Sequence, residues 1–253
     1  MVGKKLAGKT ALITGASKRI GHAISLALAQ EGINVVIHYC SSKKQAEKLG
    51  AELTKHKVKS WLVRADFEKA KEPDLLIARI LKMTGSLDIL INNASLFLPD
   101  TLKQMDFEIL LRHIQVNVWA PLVLSRQFAR LGRKGKIINL LDSRIAGSDR
   151  SHVAYILSKH MLSVLTKMTA LEFAPHVTVN GIAPALILPP LGKTRRYLKQ
   201  LAGTVPLKRH GNPNDIANAV IYLLKNDFLT GQIINVDGGL HLMEYAHGPH
   251  FNS

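Results

Sequence analysis

Tyr155 and Lys159 lie four residues apart in "YILSK" (155–159), and residues at that spacing share one face of a helix. A phenol free in water holds its proton with a pKa of about 10, and an ammonium a few ångströms away lowers that value. Such a pair can exchange a proton at neutral pH. An ordinary turn of amphipathic helix would carry the same five residues, so the pair takes its meaning from its neighbours. The nearest in kind is "TGASKRIGH" (14–22), between a strand-like run from Thr10 to Ile13 and an alanine-rich helix from Ala23 to Gln30. Gly15 and Gly21 permit a tight turn and close packing of helix on strand. The helix start offers unpaired N–H groups and a partial positive charge to a phosphate. Arg19 stands where a nucleotide-binding turn of this kind usually has a glycine.

The second strand ends in "HYCSSKK" (38–44). An NAD site would place an aspartate or glutamate there to hold the ribose 2′-hydroxyl, and no acid follows until Glu47. Ser41 and Ser42 can donate to a 2′-phosphate, and Lys18, Lys43 and Lys44 can neutralise it. The expected cofactor is therefore NADPH. Ser42 could equally serve as a helix cap.

These groups need a frame, and the chain alternates strand and helix signals. Strands are expected at "TALIT", "NVVIHY", "KSWLVRAD", "LDILINNAS", "GKIINLL", "VTVNGIAP" and "GQIINVDGG". Helices are expected over 20–31, 43–57, from Pro73, 106–131, 152–173 and 214–225. The expected fold is α/β: a single-domain Rossmann fold over 1–253, a doubly wound parallel sheet of about seven strands with helices on both faces. Ligands in such a sheet bind beyond the carboxyl ends of the strands.

Three stretches together resemble the short-chain dehydrogenase/reductase family: "TGASKRIG", "NNA" (92–94) and "YILSK", with the resemblance running from about residue 6 to 240. Two departures point within it. Arg19 replaces the family's middle glycine, and Asp142 takes the place of its usual serine, thirteen residues before Tyr155. Together with "NNASLF" and the His38–Tyr39 pair, these resemble the pteridine reductases and the related dihydromonapterin and dihydrofolate reductases.

The resemblance implies site residues. The cofactor would be held by Gly15, Lys18, Arg19, Ile20, His38, Tyr39, Ser41, Ser42, Asp66, Phe67, Asn93, Ala94, Ser95, Lys159 and Pro184, with Asp66 at the adenine and Lys159 on the nicotinamide ribose. Arg19, Ser95, Phe97, Asp142, Tyr155 and Leu186 would meet the substrate, with Arg19 reaching both pyrophosphate and pterin and Phe97 stacking on the pterin. Asp142, Tyr155, Lys159 and Asn117 form the catalytic group, Asn117 keeping a water relay behind the lysine. The alternatives are a surface arginine at 19, a core phenylalanine at 97, and a register in which Ser143 restores the family serine.

The implied activity is NADPH-dependent reduction of a dihydropterin, extending to dihydrofolate, by hydride transfer to a C=N bond. A carbonyl reductase of ketoacyl type and a non-catalytic NADPH- or nucleic-acid-binding protein are the competing readings. The family is usually a homotetramer, with helices 106–131 and 152–173 packing between subunits. A substrate loop is expected over 186–210, where "GKTRRYLK" reads as a solvated helix rather than a grip on a folate tail. Ala185 follows Pro184 where the family often has glycine.

Composition sets outer limits. The 253 residues are 47% hydrophobic and 21% charged, which fits a globular chain. The longest apolar run, "APALILPPL", is far below the roughly 18 residues of a membrane span, and "MVGKKLAGKT" lacks the apolar core of a secretory signal. A single cysteine, Cys40, excludes an internal disulfide and a CxxC metal site, so a cytoplasmic location is expected. The net charge of +16 attracts anions of every kind without choosing among them, and nucleic acid is not an expected partner. His241, His247 and His250 in the tail 241–253 lack the company a metal site needs.

Overall fold

Short apolar segments bounded by turns set the sheet. The computed structural model describes residues 6–147, 149–190 and 192–243; His247 and His250 lie outside them. Strands β1 (Thr10–Ile13), β2 (Asn34–Tyr39), β3 (Ser60–Arg64), β4 (Ile89–Asn92), β5 (Gly135–Leu140), β6 (Val177–Pro184) and β7 (Ile233–Val236) pair in the order β3-β2-β1-β4-β5-β6-β7. Every pairing is parallel. Residues of β1 and β4 are buried without exception, as strands covered on both faces require.

Alternation along β1 splits the core. Ala11 and Ile13 pack on one side with α1 (Arg19–Gln30), α2 (Lys43–Leu53) and α8 (Pro213–Lys225). Leu12 packs on the other, with α3 (Leu76–Thr84), α5 (Ala120–Ala129) and α6 (Val153–Glu172). Strand order reverses between β1 and β4, so the crevice beyond their carboxyl ends is where a ligand belongs.

The helix expected over 106–131 runs without a gap from Phe107 to Ala129 but is not α throughout. It runs as α4 (Phe107–Ile114), a π-helical turn over Gln115–Trp119, and then α5. Pro121 explains the change of hydrogen-bond ladder: it has no N–H for the carbonyl four residues earlier, and its ring crowds that carbonyl. That carbonyl belongs to Asn117. The segment expected to be the substrate loop carries a short helix, α7 (Arg195–Leu201), with Arg196 and Lys199 exposed, in keeping with a solvated face. A last turn, α9 (Leu240–Met243), follows β7.

Helix α6 carries Tyr155 and Lys159, and its start is pinned from a distance. Its cap residue His152 makes no side-chain capping bond. Instead Asp100, 5% exposed, accepts from the Ala154 N–H at 3.0 Å through Oδ2. A buried polar chain registers the same helix on the sheet. Asn92 of β4 donates to Asn139 of β5 at 2.8 Å, and Asn139 donates to Thr166 of α6 at 2.9 Å. Among the described residues, no helix is long and apolar enough to cross a membrane.

Candidate active site

The β1–α1 turn is drawn tight by glycine and by its neighbours across the sheet. Gly15 has φ +63°, and a Cβ on Gly21 would strike the Gly15 carbonyl oxygen. The Asn93 side-chain amide donates to the carbonyls of Thr14 and Gly15 at 2.8 and 3.1 Å. Thr14 Oγ1 accepts from the N–H groups of Asn93 and Ala94, both at 2.9 Å. The polar groups of Asn93 thus build the turn. Lys18, the cap residue of α1, makes no side-chain capping bond, and the first turn holds no acid. An anion can therefore take the free N–H groups there.

Arg19 is the first residue of α1 and has φ +58°, the left-handed region that glycine occupies freely. An arginine there costs about 1 kcal/mol of backbone strain. Its Nη2 donates to the Pro189 carbonyl at 2.9 Å, so the exposed guanidinium links the turn to the substrate loop. Four of its five donors remain for a phosphate or a substrate. Leu186, at the start of that loop, also has a positive φ, +47°. Pro184 ends β6 beside Val236 of β7. Ile20 is partly buried against the core.

Two expected cofactor residues lie behind the site instead of facing it. His38 and Phe67 are 2% and 5% exposed, and their rings stack at 4.4 Å. His38 Nδ1 accepts from the Gly15 N–H at 3.0 Å, so Nε2 carries the proton and donates to the Ala65 carbonyl at 3.1 Å. The histidine holds the glycine turn from beneath. Burial lowers its pKa to about 4, against the upward pull of the Ala65 hydrogen bond.

A stability prediction follows. The unfolded chain binds a proton at His38 below about pH 6.5 while the folded chain does not until about pH 4. Stability should therefore drain as pH falls through that window, by on the order of 3 kcal/mol. Denaturant unfolding at pH 7 and pH 4.5 checks this: His38→Gln should be weaker at pH 7 and show a flatter pH dependence than wild type. Parallel curves would remove His38 from the account.

At the end of β2, Tyr39 is half-buried, while Ser41, Lys43 and Lys44 are exposed. Ser42 is the cap residue of α2, but its hydroxyl makes no capping bond. Asp66 is half-buried; its Oδ1 accepts from the Glu68 N–H and its own N–H donates to Glu72. Arg64 adds a cation unnoticed in the sequence, with Nε donating to the Cys40 carbonyl at 3.2 Å.

Of the residues expected to be catalytic, Asp142 and Lys159 converge on Tyr155. Tyr155 donates from its phenol to Asp142 Oδ2 at 2.9 Å. The neighbouring Ser143 hydroxyl is buried with no partner, so the register that would have put serine on the phenol is not the one adopted. Lys159 is 2% exposed; its Nζ donates to the Leu140 carbonyl at 2.7 Å and lies 5.6 Å from the centre of the Tyr155 ring. Burial lowers Lys159 to about 8.

The phenol behaves opposite to the expectation from the pair alone. Burial first, and then the Asp142 charge, push Tyr155 well above its ordinary value. The carboxylate is hydrogen-bonded to the phenol, whereas the ammonium is turned to the backbone, so the nearer charge wins.

Asn117, fully buried on the π turn, is spent on the loop after β4. Its Oδ1 accepts from the Leu96 N–H at 2.8 Å and the Ser95 hydroxyl at 3.2 Å. Its Nδ2 donates to the Leu96 carbonyl at 3.0 Å and to Ser158 at 2.9 Å. None of these bonds reaches Lys159. Buried His113 holds the same loop by accepting from the Leu98 N–H at 3.3 Å. The loop so fixed carries Phe97, which stacks on His152 at 4.2 Å and meets Tyr155 edge-on at 4.7 Å. One ring face is thus already occupied by a histidine that the sequence did not bring to attention.

Arg144 was missed as well. Its Nε and Nη2 fork onto the two oxygens of Asp142, each at 2.9 Å, and its Nη1 pairs with Asp149. Against the upward push of burial, hydrogen bonds from Ser151 and the Arg144 charge hold Asp149 at about 2. An arginine two residues beyond a candidate acid was the available signal for Arg144. Asp100 gave none, because its contact spans 54 residues. Among the described residues, no cluster of three metal-ligating side chains exists.

A family model described as enoyl-(acyl carrier protein) reductase matches residues 15–241. The chain is 33% identical over 242 residues to a 3-oxoacyl-(acyl-carrier-protein) reductase, FabG, of Staphylococcus aureus, across 92% of this chain and 98% of that protein. Among solved structures, FolM alternative dihydrofolate reductase 1 from Brucella canis, complexed with NADP, matches with a TM-score of 0.90 at 29% identity, across 99% of this chain and 100% of that one. A chain from Serratia marcescens described as a short-chain dehydrogenase/reductase matches with a TM-score of 0.88 at 30% identity, across 94% of this chain and 99% of that one.

Proposed function

Because the chain belongs to the short-chain dehydrogenase/reductase family, we propose that it is an NADPH-dependent reductase of a dihydropterin, extending to dihydrofolate. The observation that carries this reading is the Asp142 carboxylate on the Tyr155 phenol at 2.9 Å. A carbonyl oxygen becoming an alkoxide is served by a hydroxyl donor, whereas a C=N bond gains hydride on carbon and a proton on nitrogen. The residues present fit NADPH. The uncapped start of α1 and Arg19 suit a pyrophosphate, and Ser41, Ser42, Lys18, Lys43 and Lys44 suit a 2′-phosphate, with no acid in the chain from Tyr39 to Ala46. When bound, the reduced nicotinamide supplies a hydride to the substrate carbon. The Tyr155 O–H bond breaks as an N–H bond forms on the substrate. Lys159, whose Nζ lies 5.6 Å from the centre of the Tyr155 ring, supplies a positive charge to set against the resulting phenolate until solvent returns the proton.

A second reading, reduction of a 3-oxoacyl thioester, is favoured by the FabG relative. Consumption of NADPH followed spectrophotometrically against dihydrobiopterin, dihydromonapterin, dihydrofolate and an acetoacetyl thioester separates the two. Turnover of the thioester alone would replace the pterin reading.

Self-association is part of the proposal. Leu157, Met161, Val164, Met168 and Leu171 recur along α6 at heptad spacing and are 43%, 44%, 56%, 60% and 83% exposed. So continuous an apolar stripe calls for a partner, and a second copy of α6 matches it. Light scattering should find a homotetramer, and Val164→Lys with Met168→Glu should reduce it to smaller species. An unchanged mass would refute this interface.

A further inference from the structure

We propose that Arg144 is a positioning residue: it holds the Asp142 carboxylate as a pure acceptor for the Tyr155 phenol, so that the transferred proton leaves from Tyr155 and not from Asp142. The proposal deepens the reductase reading and rests on it.

A carboxylate has about four lone-pair sites. At Asp142, Oδ1 receives the Arg144 backbone N–H and Nε, and Oδ2 receives Nη2 and the phenol, all at 2.9 Å. Every site is filled by a donor, and three of the four donors come from Arg144. A proton on Asp142 would have to evict one of them. The amino edge of a substrate would meet the same full set.

The fork also has no freedom to drift. Asp149 holds its far nitrogen, and the guanidinium carbon lies 5.3 Å from the centre of Phe97 and 5.4 Å from that of Tyr155. Both distances fall within cation–π range. One planar cation thus fixes the carboxylate and borders both the Tyr155 ring and the Phe97 ring expected to meet the substrate. Its charge also opposes the upward shift of the phenol that burial and Asp142 impose. Without it, the phenol is a weaker acid and releases its proton later. The step balances as before: the substrate carbon takes the hydride, the phenol O–H breaks, the substrate N–H or O–H forms, and a phenolate remains.

The test compares Arg144→Met and Arg144→Lys, each alone and with Asp142→Asn, on whichever substrate of the panel the wild type turns over. Rates are read in H2O and D2O, and NADPH binding is measured by fluorescence. Arg144→Met should lower kcat about 10–100-fold, the scale of a misplaced catalytic group. NADPH affinity should be kept, and the D2O effect on kcat should increase. Arg144→Lys, which keeps the charge but not the fork, should recover part of the rate. In the Asp142→Asn background, Arg144→Met should change kcat less than about threefold, because coupled residues are non-additive.

An equal loss in both backgrounds overturns the proposal, as does an unchanged kcat and D2O effect, or a loss confined to substrate KM. Should Arg144→Met fail to bind NADPH, Arg144→Lys decides: a reduced kcat at wild-type NADPH affinity supports the proposal, and full activity overturns it. A wild type that consumes NADPH with none of the substrates overturns the reductase reading itself, and this proposal with it.

Discussion

Tyr155→Phe should lower kcat for NADPH-dependent reduction by about 10²–10⁴-fold, the usual yield of a positioned general acid. The expectation rests on where the phenol sits. Tyr155 is 6% exposed, its hydroxyl is bonded to Asp142, and its ring is bordered by Phe97, Arg144 and Lys159. Its pKa is driven upward by burial and by the Asp142 charge, so at working pH it holds the proton that reduction consumes. Phenylalanine keeps the ring, and with it the edge contact to Phe97. Packing is preserved, and NADPH affinity should stay within about threefold, since an interaction made only in the transition state lowers kcat and kcat/KM together. Stopped-flow single turnovers with fluorescence titration of NADPH would measure both. A variant retaining more than about a tenth of the wild-type rate would move the proton donor elsewhere.

That phenol also marks how far the sequence could be read. "YILSK" identified two residues on one helix face, and "TALIT" or "LDILIN" identified buried parallel strands, because both patterns are local. The parallel sheet of about seven strands followed from the alternation of strand and helix, whereas the order of the strands did not. The π turn at Gln115–Trp119 was not legible: hydrophobic periodicity runs smoothly through 106–131, and only the missing N–H of Pro121 signals the interruption. That turn matters, since it carries Asn117, whose amide holds the Ser95 hydroxyl and the backbone of Leu96.

Side-chain environment was harder still. His38 was expected to hold the cofactor at the end of β2, yet the residue serves as a buried acceptor for the Gly15 N–H. Position in a motif fixes which strand end a residue occupies but not whether its ring points to ligand or to core. The Tyr155–Lys159 spacing suggested a lowered phenol pKa, because charge at one helical turn can be read from sequence. The opposing charge of Asp142 acts through a fold-dependent contact. Asp100 and Arg144 share that character: each gains meaning only from what the loops after β4 and β5 bring together.

Asp142→Ser is expected to reduce dihydropterin turnover by about 10²-fold or more, within the range for loss of a general acid–base partner. Three effects combine. The phenol loses the acceptor that orients its proton. Arg144 loses three hydrogen bonds and keeps its pairing with Asp149. The negative charge beside the forming N–H disappears. Arg144, left with Asp149 as its carboxylate partner, then sits next to the phenol, where its charge favours the phenolate, and the variant should carry lower thermal stability as well. A serine hydroxyl, by contrast, is the donor a carbonyl oxygen needs as it becomes an alkoxide. The kcat/KM for the acetoacetyl thioester should therefore rise, and the ratio of the dihydropterin value to it should fall further than the dihydropterin value alone. Asp142→Asn separates shape from charge: it keeps the planar group and one acceptor oxygen but offers Arg144 an amide in place of a carboxylate. If the carboxylate is what suits the site to a C=N bond, asparagine should fail almost as badly as serine on the pterin without gaining on the thioester. Full pterin activity in either variant would mean that Asp142 sits beside the reaction without shaping it, and the choice between C=N and C=O would then have to come from the loop holding Phe97 and from Arg19.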